Sequence, residues 1–161
     1  MGYTTDFEGS VTIEPPLNDA EITYLKAFAG TRRMSRRSGP YFVEGGGFRG
    51  QDHEADVIDS NRPAAGQPGL WCGWVPDDFG EVLVWDGIEN FYESRSWMAY
   101  LIDHFLKPGA AAQGAPGFED FTFDHVVNGT IEAQGEDPSD RWRLIVTHNM
   151  VTTKTATISW D

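Results

Sequence analysis

The chain has 161 residues and a mass of 17.9 kDa, enough for one domain that buries roughly two thirds of its unfolded surface without a disulfide or metal staple. Its 25 Asp and Glu residues against 12 Lys and Arg give a net charge of −13. A field of that sign repels phosphate, which weighs against general binding to nucleic acid or anionic membranes and leaves an acidic decoy imitating DNA among the readings. The single Cys72 excludes an internal bridge, and with no long apolar run or leader the expected location is the cytoplasm.

From Tyr3 to Ile13, apolar residues at Phe7, Val11 and Ile13 alternate with polar ones. This pattern predicts a half-buried strand or a short hairpin broken at Gly9. Pro15 and Pro16 end it. Asn18 followed by Glu21 is a capping-box pattern, and Ile22, Leu25, Phe28 and Ala29 recur at helical spacing up to Gly30. A short strand is expected at Pro40 to Val43, followed by a long ordered loop over 44–69 rich in Gly and Pro.

Leu70 to Val75 and Glu81 to Trp85 form an expected hairpin across Pro76 to Gly80, with Trp71, Trp74 and Trp85 as core bulk and Cys72 as a small buried hydrophobe. The stripe of Trp97, Leu101, His104 and Phe105 predicts a second helix from Phe91 to Lys107, stopped by Pro108 and Gly109. A small-residue linker follows over 107–119. From Phe121 onward the pattern is an antiparallel meander with turns at Asn128 and Gly129, at Glu136 to Asp140, and at His148 and Asn149. The expectation is a single α+β domain over 1–161: a mainly antiparallel sheet, two helices packed on one face, and a C-terminal β-meander.

The runs GYTTDFEG (Gly2 to Gly9), GQPGLWCGWVP (Gly66 to Pro76) and NGTIEAQGEDPSDRWRLIV (Asn128 to Val146) resemble an uncharacterised group of small acidic actinobacterial and phage-encoded proteins. The resemblance implies one domain and carries no catalytic residues. It also raises a phage-related role, either countering host defence or serving in the virion.

The stretch from Thr31 to Gln51 stands out because it is basic within an acidic chain. It holds Arg32, Arg33, Arg36, Arg37 and Arg49, with Gly45, Gly46, Gly47 and Gly50 among them, opposed by Glu44 alone. Arginine forks and open glycine amides suit phosphate or carboxylate, and Tyr41, Phe42 and Phe48 are interleaved for stacking on a base or anchoring a partner. If the first helix continued, Arg32 with Arg36 and Arg33 with Arg37 would lie one turn apart. The alternatives are helix-end complementation by Arg32 and Arg33 and internal salt bridges. The Gly run matches neither nucleotide-binding fingerprint.

Asp52, His53, Glu54, Asp56 and Asp59 offer ligand atoms for a metal, but their spacing fits no EF-hand or HExxH helix, and a solvated acidic loop explains them. A hydrolase using Asp52 or Glu54 as general base lacks a nucleophile motif. His104, His125 and His148 read as packed or surface residues. Local pairing accounts for Glu136, Asp137 and Asp140 beside Arg141 and Arg143.

Function is therefore expected to be non-enzymatic binding, with no cofactor, metal or membrane. A small phosphorylated ligand or a protein partner would be engaged by Arg32, Arg33, Arg36, Arg37, Tyr41, Phe48, Arg49 and Gln51. A structural or virion protein, homo-oligomeric or not, and an acidic nucleic-acid mimic are the alternatives.

Overall fold

The computed structural model describes residues 3–43 and 56–156. A six-stranded antiparallel sheet forms the scaffold. Its strands are β1 (Thr5–Glu14), β4 (Trp74–Pro76), β5 (Val82–Trp85), β6 (Val126–Gly135), β7 (Arg141–Thr147) and β8 (Met150–Thr155), in the order β4-β5-β1-β6-β7-β8. A separate two-stranded sheet pairs β2 (Met34–Arg36) with β3 (Val57–Pro63). The helices α1 (Asp19–Ala29) and α2 (Ser94–Leu101) pack on one face of the large sheet. This is the expected α+β architecture with a C-terminal meander. No helix among the described residues is long and apolar enough to cross a membrane.

The alternation read from the sequence sets which face is buried. Phe7, Val11 and Ile13 of β1, Val127, Ile131 and Ala133 of β6, and Leu144 and Val146 of β7 all point to the helices. There they meet Leu25 and Phe28 of α1 and Trp97, Met98 and Leu101 of α2. The first helix begins as its capping box dictates: the Asn18 side chain accepts from the Glu21 amide at 2.9 Å, and the Glu21 carboxylate accepts from the Asn18 amide at 2.8 Å. The second starts three residues later than expected, behind a left-handed Glu93, and widens into a π-helical turn over Ile102–Leu106.

The first strand of the expected hairpin begins only at Trp74, residues 70–73 being irregular, and four other expectations change. The segment from Pro40 to Val43 is turn and irregular chain, not a strand. Part of the expected 44–69 loop is β3, and residues 44–55 lie outside the described residues. The 107–119 segment is a run of tight turns that buries Ala110, Ala112 and Phe118.

The fourth change is at Asn128 and Gly129. This pair makes no hairpin: β6 runs straight through it, and Gly129 sits opposite Val11. At φ 148 and with a virtual Cβ only 2.8 Å from the Val11 Cα, position 129 requires glycine for close strand approach rather than for turning. Ten successive β1–β6 pairs outweigh the local turn preference. The turns expected at 136–140 and at His148 and Asn149 are present, the latter with both residues at positive φ.

Candidate functional site

The arginine stretch is divided between interior and surface. Helix α1 ends at Gly30, so the arginines do not continue it, and Arg36 instead lies in β2. Arg33 is 2% exposed. Its Nε donates to the Thr31 carbonyl at 3.1 Å, one terminal nitrogen to the Pro40 carbonyl at 3.1 Å, and the other to the Phe42 carbonyl. The guanidinium lies 4.1 Å from the Phe28 ring centre. Burial pulls its pKa down to about 10, leaving it charged at neutral pH. Carbonyl dipoles and an aromatic face thus solvate this cation, and no carboxylate among the described residues reaches it.

Arg36 is buried too, stacked 4.4 Å above Phe42 and donating to the Arg32 carbonyl. Arg32 is half-buried and donates to the Ser60 carbonyl, and the Arg37 side chain is exposed. Phe48, Arg49 and Gln51 lie outside the described residues, as do Asp52, His53 and Glu54 of the metal reading. Among the described residues, no group of three or more His, Cys, Asp or Glu side chains could hold a metal ion. Asp56 instead accepts from the Ser38 amide and hydroxyl, and Asp59 from the Asn61 amide.

Tyr41 joins a second cluster. Its hydroxyl lies 2.6 Å from Nδ1 of His104, whose ring stacks on Tyr100 at 3.8 Å, and Gln67 donates to the Tyr100 hydroxyl. Burial lowers the His104 pKa and raises that of Tyr41. Burial thus favours the neutral imidazole, which shares one hydrogen with the phenol at this contact. Cys72 is fully buried with its thiol pushed up to about 12, which makes it inert.

His125 is packed, as expected, and it faces a buried carboxylate. Nδ1 faces the Pro15 carbonyl at 2.6 Å and Nε2 faces the Glu21 carboxylate at 2.8 Å, with both side chains buried. Burial alone would lower the His125 pKa. The bonds to Glu21 and Pro15 outweigh it and raise the value, while the bonds from His125, Asn18 and Thr122 likewise overcome burial and lower that of Glu21. This buried pair ties the start of α1 to the chain entering β6.

The open site is on the opposite face of the large sheet. Strand register places Glu8, Glu132, Arg143 and Lys154 in one cross-strand row, and Asp6, Gln134 and Arg141 in the next. Between the rows lies a trough of about 590 Å³ floored by the backbone around Ala133 and Trp142. No described helix covers it. Its walls differ in sign: Asp6 and Glu8 on β1 against Arg141 and Arg143 on β7 and Lys154 on β8. The Arg143 Nε donates to both Glu132 oxygens, at 2.8 and 3.0 Å, which holds the guanidinium more firmly charged.

Local pairing does not account for Arg141 and Arg143. The acids of the preceding turn are engaged elsewhere: Asp140 accepts from the Tyr3 hydroxyl, Glu136 from the Thr4 amide, and Asp137 from Ser139. The available signal was the two-residue spacing of Arg141 and Arg143, which puts both on the face opposite Leu144 and Val146. No family model, curated protein or solved structure matches the chain.

Proposed function

We propose that the chain is a non-enzymatic binding protein whose working surface is the open face of the sheet at β1, β6, β7 and β8. The supporting observation is the two-signed trough: about 590 Å³ with acids along one wall and three cations along the other, in a chain with only 12 Lys and Arg. Arg141 and Lys154 make no ion pair among the described residues. Long side chains flanking a backbone floor suit a partner carrying both charges. A compact polyanion is disfavoured, because Asp6 and Glu8 would repel it. A protein partner is therefore preferred to the small phosphorylated ligand, and the resemblance to phage-encoded proteins extends this to a phage-related interaction protein.

The test is an NMR titration of labelled protein with inorganic phosphate, with ATP, and with a soluble peptide of alternating Lys and Glu. Binding at the open face predicts saturable amide shifts in β1, β6, β7 and β8 with the peptide. Shifts confined to Arg32 through Val43 with phosphate or ATP would return the function to the arginine stretch. An absence of shifts in the sheet with every probe would remove the open-face proposal.

A further inference from the structure

We infer that the occupant of this face is a second copy of the same chain, docked about a two-fold axis parallel to the strands and passing between β6 and β7. This rests on the open-face proposal and adds an occupant and a register.

The row Glu8, Glu132, Arg143, Lys154 places like charges directly opposite one another twice, Glu8 with Glu132 and Arg143 with Lys154. Such neighbours repel across a strand pair. The Arg143 contact to Glu132 relieves only the centre of the row, leaving an acidic end on β1 and a basic end on β8. A row that reads acid, acid, base, base is complementary to itself when turned end for end. The stated axis performs that operation, bringing Glu8 of one copy over Lys154 of the other and Glu132 over Arg143, each contact occurring twice, as an isologous interface requires.

On the side of this row away from Arg141, the face permits close approach. The next row is Ser10, Thr130, Ile145, Thr152, and beyond it come the pairs Thr12 with Asn128 and Thr147 with Met150, mostly small hydroxyl residues. Met150 is 70% exposed, and the same operation seats it over Thr12 of the other copy. Four strands at their usual spacing make the face roughly 19 Å wide, and the seven residues of β7 make it roughly 24 Å long, so two copies cover about 900 Å². That lies close to the ~1,000 Å² a specific interface needs and predicts reversible, salt-sensitive pairing.

The experiment is sedimentation velocity over a concentration series with wild type, Glu8→Lys, Lys154→Glu, and an equimolar mixture of the two variants. Both side chains are exposed, so folding is not at stake. In low salt the wild type is expected to move from 17.9 kDa toward twice that mass as concentration rises. Each variant alone sets like charges face to face, and its midpoint of association should rise by about tenfold or more. In the mixture, the lysine introduced by Glu8→Lys meets the glutamate introduced by Lys154→Glu, while the unaltered Lys154 of the first variant meets the unaltered Glu8 of the second, so pairing should return. Wild type that stays at 17.9 kDa at every concentration, variants that associate as wild type does, or a mixture that remains monomeric would each overturn the second copy as occupant. Peptide-induced shifts in the trough of a monomeric wild type would leave the open-face proposal standing.

Discussion

Arg33 and Arg141 lie in the two most basic segments of an acidic chain, and the fold uses them in opposite ways. Arg33 is sealed against Phe28 with its fork on the carbonyls of Thr31, Pro40 and Phe42. It fastens the end of α1 to the segment that follows β2, and its charge serves the fold. Arg141 stands on an uncovered sheet face beside Arg143 and Lys154, engaged by no carboxylate among the described residues. Clustering of arginines in a sequence therefore does not by itself say which of them face outward. What distinguishes the two is whether the acceptors for the forks come from the chain itself.

The largest effects should follow from disturbing interior charges. His125→Leu leaves the Glu21 carboxylate buried without its imidazole partner and should cost roughly 3–5 kcal/mol in denaturant unfolding. The pair also sets a pH window. The pKa of His125 is raised in the fold, so its contribution is complete below the ordinary value of 6.5 and is lost as pH rises through the raised value. Glu21 is lowered, so its contribution is present above 4.5 and is lost as pH falls through the lowered value. Wild-type stability should therefore fall on both sides of that window, and His125→Leu should flatten the alkaline side.

Arg33→Met should cost about 3 kcal/mol, because three carbonyls lose a charged donor. Arg141→Met should leave the unfolding midpoint unchanged within error. Equal effects at the two positions would break the distinction between them. The mildest expected result is for Arg143→Gln, which removes an exposed pair: stability should be unmoved, while the concentration dependence of sedimentation weakens.

Much of the fold was legible. The capping box at Asn18 and Glu21, the helical stripe ending in Phe105 and the alternation of Phe7, Val11 and Ile13 are local patterns, and local rules decide them. Asn128 and Gly129 misled because their backbone conformation is set by β1, more than a hundred residues away in sequence. The sites were harder to read for the same reason. That Glu8 would sit beside Glu132, and Arg143 beside Lys154, follows from register between distant strands and from nothing local. The arginine stretch, by contrast, is conspicuous in one dimension, yet the carbonyls that occupy Arg33 come into view only when the chain folds back at Pro40.

One comparison tests the division most directly. Arg32→Glu with Arg37→Glu reverses the outward charges of the arginine stretch, and Arg141→Glu with Lys154→Glu reverses those of the sheet face. Sedimentation velocity on both double variants, under conditions in which the wild type associates, should show the first pairing as the wild type does and the second remaining at 17.9 kDa. Loss of association in the first with retention in the second would contradict the account and place the working surface at Arg32 and Arg37.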